Sequence, residues 1–326
     1  LYKYEGLELL NKYVKENIIV LDPFREIYLI VLIKSLLNFS LQDILTNYNR
    51  TFISMTNPKF VFTYIDNAPK FYFLKDFFKD IIFISIQNGY RGGVNDKKQK
   101  KTFVEAMEDF NVMDTKIKKL KCDFIFTHNQ AVSKKFAKFI KTKTKVIGSI
   151  KNNMVEQKKC KAKKTLSFIS EVSGSSIKTN KTYFENEKFK ITKKDYHLAE
   201  EKIIPFLSEY CKKNNLKFQI IPRTNASYEH EFFKNLIQNK CKWTYPIKKN
   251  IFHGYELVDN SNFLVGIGGT LTYEALSRKK KIAFISIRKE ILTKKGFDLD
   301  FTQYNFGWPY KFNKNGPFWT HSTSID

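Results

Sequence analysis

The chain has 326 residues, 42% of them hydrophobic and 16% aromatic, which is long for one core and sufficient for two. Its 57 basic residues exceed its 32 acidic ones to give a formal charge of +25, yet only six are arginine. The lysines are spread along the whole chain without an arginine–aromatic stripe, so they read as a solvated surface and not as a nucleic-acid groove. Four widely spaced cysteines (Cys122, Cys160, Cys211, Cys241) without a CxxC pair exclude a disulfide framework and a zinc finger, and no signal peptide is visible; a cytoplasmic protein with reduced thiols is expected.

Residues 1–15 predict a helix and residues 17–21, NIIVL, a strand. Asp22 as cap and Pro23 at the first helical position open a helix to about Asn38, whose apolar run 27–37 contains Lys34 and is too short to cross a membrane; a buried helix is expected. A short helix over 41–48 precedes a strand over 59–65 that ends at Asp66-Asn67. Pro69 starts a helix to about Phe78, and residues 80–86 form a strand ending in Gln87-Asn88-Gly89-Tyr90-Arg91. After a polar loop, 92–101, comes a strand over 121–127 ending at His128-Asn129, a helix to about Ile140 and a short strand over 145–147 closing at Gly148-Ser149. Strand–helix alternation with polar residues just after the strands argues a parallel sheet whose ligands bind outside the strand carboxyl ends, although some of these Asp and Asn residues only cap helices.

The lysine-rich segment 152–164 reads as the linker to a second alternation. Residues 165–169 begin it, ending in Ser170-Glu171 and a Ser/Gly-rich stretch to Ser176, which is either an anion-cradling turn or a flexible loop. A long amphipathic helix over 193–214, a strand over 216–221 ending at Pro222-Arg223, a helix over 228–237, a short strand over 243–245 and a helix over 250–259 follow. Residues 261–287, SNFLVGIGGTLTYEALSRKKKIAFISI, then read as strand, glycine loop, helix capped by Thr270, and strand, with the positive run 278–281 at the helix C-terminus. A glycine loop at a helix N-terminus presents free N–H groups to phosphate, and Glu274, one turn in, is placed for the ribose hydroxyls of a nucleotide; a tight turn without a ligand has the same pattern. From Arg288 the tail is aromatic and irregular, with FGWPY at 306–310 and GPFWT at 316–320.

The organisation expected is α/β, two domains with mostly parallel sheets whose polar strand ends face each other across a cleft: a first domain over 1–155, a second over 156–290 and a tail over 291–326 packing on them. Scarce arginine makes an arginine at a strand end notable, because its planar fork grips phosphate with two bonds. Arg223, Ser170, Gly268, Gly269, Thr270 and Glu274 are the candidate donor-binding residues. The base that deprotonates an acceptor hydroxyl is sought in the first domain, with Asp66 first and His128 second, and with Gln87, Asn88 and Arg91 positioning the acceptor. Asp298-Leu299-Asp300 has the spacing of a metal motif but stands in the tail, so Arg, Lys and helix dipole are expected to replace a metal, and no cofactor is expected.

TYIDN (63–67), SIQNGYR (85–91), FTH (126–128), GS (148–149), IPR (221–223), GIGGTLTYEALSRKKKIAF (266–284), FGWP and GPFW, in that order, resemble a bacterial family of surface carbohydrate biosynthesis proteins similar to GT-B glycosyltransferases and capsule polysaccharide transferases. The resemblance covers most of the chain, with 266–284 its most specific part. It implies a GT-B-like fold of two Rossmann-type domains, with the acceptor at the N-terminal domain and the nucleotide sugar held mainly by the C-terminal one, and a transferase that moves a sugar from a nucleotide sugar to a glycan or glycolipid of the cell surface (capsule or lipopolysaccharide) at the cytoplasmic face of the inner membrane; the basic charge of the chain leaves peripheral contact with anionic lipid open. Transferases of CMP-linked ulosonic acids often carry a His-Pro pair, which this chain lacks, so CMP-, UDP- and GDP-sugars all stay open. An epimerase or hydrolase of nucleotide sugars on the same fold, and a non-catalytic module for polyanions or membrane, are the alternatives.

Overall fold

The computed structural model describes residues 2–22, 26–38, 44–66, 68–89, 120–162, 164–172, 182–185, 190–296 and 315–325. Among them no helix is long and apolar enough to cross a membrane. The chain divides into two compact units, Leu1–Asn153 and Met154–Asp326.

The N-terminal unit opens with three helices, α1 (Tyr2–Leu10), α2 (Leu29–Asn38) and α3 (Ile44–Thr56). Strand β1 (Phe60–Thr63), helix α4 (Pro69–Leu74) with a 3-10 turn (Lys75–Phe77), strands β2 (Ile82–Ile86) and β3 (Leu120–Thr127), helix α5 (Gln130–Phe139), strand β4 (Ile140–Val146) and helix α6 (Ile150–Asn153) follow. The sheet runs β1-β2-β3-β4 and is parallel throughout. Its apolar strands carry side chains buried on both faces, with Phe83 at 0% exposure on one and Ile86 at 3% on the other. Three local readings change. Residues 17–21 form no strand, since β propensity without a neighbouring ladder holds nothing in place. β4 starts at Ile140, because IKTKTKV alternates with period two and puts its exposed lysines on the outermost strand, where they block edge pairing. The expected buried helix is α2, but it buries only Val31 and Ser35, Val31 against Tyr48 and Phe52 of α3, and leaves Leu29, Ile30, Ile33 and Leu37 exposed. Pro23 lies outside the described residues.

The C-terminal unit contains β5 (Thr165–Ile169), an antiparallel pair β6 (Thr182–Glu185) and β7 (Lys190–Thr192), α7 (Lys193–Tyr196), α8 (Leu198–Lys213), β8 (Lys217–Ile221), α9 (Ser227–Ile237) and β9 (Trp243–Thr244). It continues with α10 (His253–Asp259), β10 (Phe263–Gly266), α11 (Thr270–Ser277), β11 (Ile282–Ile285), α12 (Arg288–Lys294) and β12 (Trp319–Ser322). Its main sheet has the order β12-β11-β10-β5-β8-β9, again wholly parallel. One core cluster joins Phe168, Phe218 and Ile220 of the sheet to Ile203, Leu207, Phe233 and Ile237 of α8 and α9; a second joins Leu264, Phe284 and Ile221 to Val258 and Ala275 of α10 and α11. The chain starts in the middle at β5, builds outward through β8 and β9, then crosses to β10 on the other side of β5. The crevice between the ends of β5 and β10 is therefore the topological switch point, where doubly wound sheets take their ligands.

The expected helix over 193–214 divides at His197, whose buried ring bonds Glu200 Oε1 at 3.0 Å. The irregular tail is corrected more substantially. Arg288–Lys294 is helical, and Trp319–Ser322 extends the sheet beside β11, with Ile282 N donating to Phe318 O at 2.8 Å and Ser286 N to Ser322 O at 2.9 Å.

Candidate functional site

The loops after β1, β2 and β3 are tied together by side chains from the predicted set. Asp66 is fully buried; its Oδ1 accepts from Asn88 N at 3.3 Å, and its carbonyl accepts from the Tyr72 hydroxyl at 2.6 Å. Gln87 is 1% exposed and uses both ends of its amide on backbone: Oε1 accepts from His128 N at 2.8 Å and Nε2 donates to Gly89 O at 2.6 Å. Gln87 thus sets the spacing of the β2 and β3 loops, and its amide faces the chain. Asn129 caps α5 by accepting from Val132 N at 3.0 Å, which places His128, half-buried, at the strand–helix corner. Arg91 lies outside the described residues, as do the loop 92–101, Ser173–Ser176, Asp298–Asp300 and FGWPY.

In the C-terminal unit the ends of β11, β10, β5 and β8 stand side by side and carry Arg288, the glycine loop, Ser170-Glu171 and Arg223 in that order. Buried Glu229, in the first turn of α9, organises this row. Its carboxylate accepts from Ser170 Oγ at 2.7 Å, Arg223 N at 2.9 Å, Thr224 N at 2.8 Å and Thr224 Oγ1 at 2.7 Å. Ser170 Oγ also accepts from Val172 N at 3.1 Å, so its hydroxyl shapes the turn from within. Arg223 is exposed, and its Nη1 donates to Glu171 O at 2.9 Å.

The glycine loop has packing reasons as well as chemical ones. A Cβ on Gly266 would stand 2.6 Å from Thr272 Cγ2 and Oγ1, and one on Gly269 would stand 3.1 Å from Glu171 Oε1. Thr270 is the first helical residue and not the cap; Gly269 takes the cap position, and its carbonyl accepts from Thr272 N at 3.0 Å. Glu274 Oε2 accepts from the Tyr255 hydroxyl at 2.9 Å, which joins α11 to α10. The basic run after α11 does more than face the dipole. Arg278 is buried; its Nε donates to Asp259 Oδ1 at 2.7 Å, and its Nη1 and Nη2 donate to the carbonyls of Val155 and Glu156 at 3.1 and 3.2 Å, clasping the linker onto this unit.

Arg288, 1% exposed, is the functional-site residue that the chain pattern leaves hidden. Its guanidinium lies 3.8 Å from the centre of the Tyr196 ring. Nε donates to Tyr196 O at 3.0 Å, Nη1 to Glu171 Oε2 at 2.6 Å and to Tyr196 Oη at 2.8 Å, and Nη2 to Glu200 Oε1 at 2.7 Å. Burial opposes its charge, but Glu200, Tyr196 and Glu171 outweigh burial and raise its pKa well above the ordinary value. Burial likewise pushes Glu200 upward, and Arg288 with His197 more than reverses this, holding the carboxyl below the usual range. Both partners are therefore charged. The signal in the sequence was an arginine directly after the apolar run 282–287 in a chain with six arginines. Among the described residues no group of three or more His, Cys, Asp or Glu is arranged to hold a metal ion.

Residues 84–326 match the model of a protein family described as "putative O-antigen biosynthesis protein". No curated protein matches the chain. Among solved structures, it is similar to the UDP-GlcNAc 2-epimerase from Neisseria meningitidis bound to UDP-GlcNAc, with 12% identity over 78% of this chain and 68% of that one and a TM-score of 0.45. It is similar to the S. aureus MnaA–UDP co-structure with 11% identity, over 93% of this chain and 79% of that one and a TM-score of 0.46. A glycosyltransferase from Rickettsia africae ESF-5 gives 12% identity over 98% of this chain and 74% of that one, with a TM-score of 0.41. Likenesses at these scores assign no activity.

Proposed function

The chain belongs to the O-antigen biosynthesis family that its residues 84–326 match, and from that premise we propose that it is a glycosyltransferase of surface-glycan synthesis that uses a nucleotide-sugar donor. The donor is assigned to the C-terminal unit and the acceptor to the N-terminal one. The observation that carries the assignment is the row of parallel strand ends at the switch point of the second sheet, where an exposed arginine, Arg223, and a glycine loop that opens α11 flank the end of β5. In this reading Arg223 receives the phosphates and stabilises the negative charge that grows as the sugar–phosphate bond breaks, so no metal is needed for that step. For the base that takes the acceptor proton we favour His128 over Asp66. His128 is half-buried at a loop corner, whereas Asp66 is fully buried and already accepts a backbone N–H.

A thermal-shift screen with CMP, UDP, GDP, ADP and TDP tests the donor site. At least one nucleotide at a hundredfold excess over its dissociation constant should stabilise the protein by about 2.7 kcal/mol, and Arg223→Ala should reduce the shift. No shift with any of the five would remove the donor-site reading. With a donor in hand, His128→Ala should abolish transfer while leaving the nucleotide shift intact, and transfer unchanged in that variant would dismiss His128 as base. Breakdown of the nucleotide sugar without an acceptor would reassign the protein as an epimerase or hydrolase.

A further inference from the structure

Glu171 is the residue that follows Ser170 at the end of β5, at the switch point, beside the glycine loop that follows β10. Its two carboxylate oxygens have different surroundings. Oε2 is gripped by Arg288 Nη1 at 2.6 Å and approached by the Tyr196 hydroxyl at 3.4 Å. Arg288 is in turn held by Tyr196 and Glu200, so the Glu171 side chain has one orientation to adopt. That orientation turns Oε1 toward the glycines. Added Cβ atoms at Gly269 and Gly268 would lie 3.1 and 3.5 Å from it. Oε1 is buried and, among the described residues, accepts no hydrogen bond. A charged oxygen held dry and unpaired is costly to a fold, and such atoms in native proteins concentrate where a ligand or an ordered water completes them.

We propose that Glu171 is a binding residue of the donor site whose Oε1 accepts a hydroxyl of the nucleotide sugar, so that this part of the glycine loop faces a hydroxyl-bearing portion of the ligand and not its phosphate. The proposal rests on the nucleotide-sugar reading above. A carboxylate attracts an O–H donor and repels a phosphate oxygen. The phosphate is better served at the neighbouring strand end, where Arg223 is anchored by one bond to the Glu171 carbonyl and is otherwise exposed. The hydroxyl belongs either to the ribose or to the transferred sugar, and the chemistry at Oε1 is the same for both.

Calorimetric titration of wild type, Glu171→Gln and Glu171→Asp with CMP, UDP, GDP and with CMP-N-acetylneuraminate, UDP-GlcNAc and GDP-mannose tests it. Gln keeps the shape and removes the charge; Asp keeps a charge for Arg288 and withdraws the oxygen. Thermal melts of the free variants report folding, and Asp serves if Gln does not fold. For any probe that binds wild type, both variants should bind the nucleotide sugar at least tenfold more weakly. If the bare nucleotide weakens equally, the hydroxyl is the ribose's; if it does not, the hydroxyl is the sugar's. Unchanged or tighter binding to Glu171→Gln overturns the proposal, because tighter binding means that a phosphate lies against the carboxylate. If no probe binds wild type, the donor-site reading fails and Glu171 falls with it.

Discussion

Arg288 and Glu200 show how one pair of charges is kept inside the C-terminal unit. Desolvation of the pair is offset only because the guanidinium finds Tyr196 and Glu171 as well as Glu200, and because the His197 ring donates to the same carboxylate oxygen. Removing one member therefore leaves the other charge buried. Glu200→Gln should destabilise the protein by roughly 3 kcal/mol at neutral pH, the cost typical of breaking a buried pair. The pH dependence follows from the direction of the shift. Glu200 has a lowered pKa in the folded state, so its contribution is complete above the unfolded carboxylate value of about 4.3 and disappears as pH falls through the folded value. Urea unfolding across pH should show a constant gap between wild type and variant from pH 8 to 5 that narrows in more acidic solution. A gap that persists unchanged at pH 3 would mean that the carboxylate charge is not what stabilises. Such residues are hard to read from the chain. Glu200 sits in an amphipathic helix like any solvated glutamate, Glu229 looks like an ordinary first-turn acid, and their burial is decided by loops far away in sequence. Arg223 was legible because it directly follows a strand, and Arg288 carried the same mark but stood at the head of a segment whose irregular, aromatic composition hid a helix.

The glycine loop was legible as an element, and so were the runs that became β2, β5, β8, β10 and β11, because strands buried on both faces read as short apolar blocks bounded by turn residues. The reason for each glycine was not legible. Gly266 is required because α11 lies against the end of β10 so closely that Thr272, itself fully buried, fills the space a methyl group would need. Gly266→Ala should therefore cost about 1–3 kcal/mol as an overpacking change. Thr272→Ala deletes both atoms that would be struck, and it also removes a buried hydroxyl oxygen that has no hydrogen-bond partner. The double variant should be more stable than Gly266→Ala alone, and a thermodynamic cycle should give a coupling energy well above the few tenths of a kcal/mol expected of independent sites. Additive losses would instead assign Gly266 to backbone conformation. Of β4 only the end was legible, in the strand expected over 145–147, because the lysines in IKTKTKV suggest a solvated segment until the strand is seen to be the sheet's edge.

The two units differ in how far apart in sequence their outer strands lie. In the N-terminal unit the sheet is complete by Val146, whereas the C-terminal unit opens its sheet at Thr165 and does not finish it until Ser322. Its last strand returns from a tail that composition alone could not assign, since WTHS has a single apolar residue and its place is set by the exposed edge of β11. There β12 brings backbone partners for Ile282 and Ser286 and packs Trp319 on the cluster of Leu264, Ile282 and Phe284. Deleting residues 315–326 leaves IAFI as a bare apolar edge, a template for pairing with another chain. Hydrogen exchange should then show lost protection in β10 and β11, with the amides of β2 and β3 unchanged because they belong to a separate compact unit. The shortened chain should also associate at concentrations where the full chain does not. Retained protection in β11 would mean that the ladder and the helices α10 and α11 hold this edge without β12. Loss of protection that spreads to β2 and β3 would mean instead that the two units unfold as one.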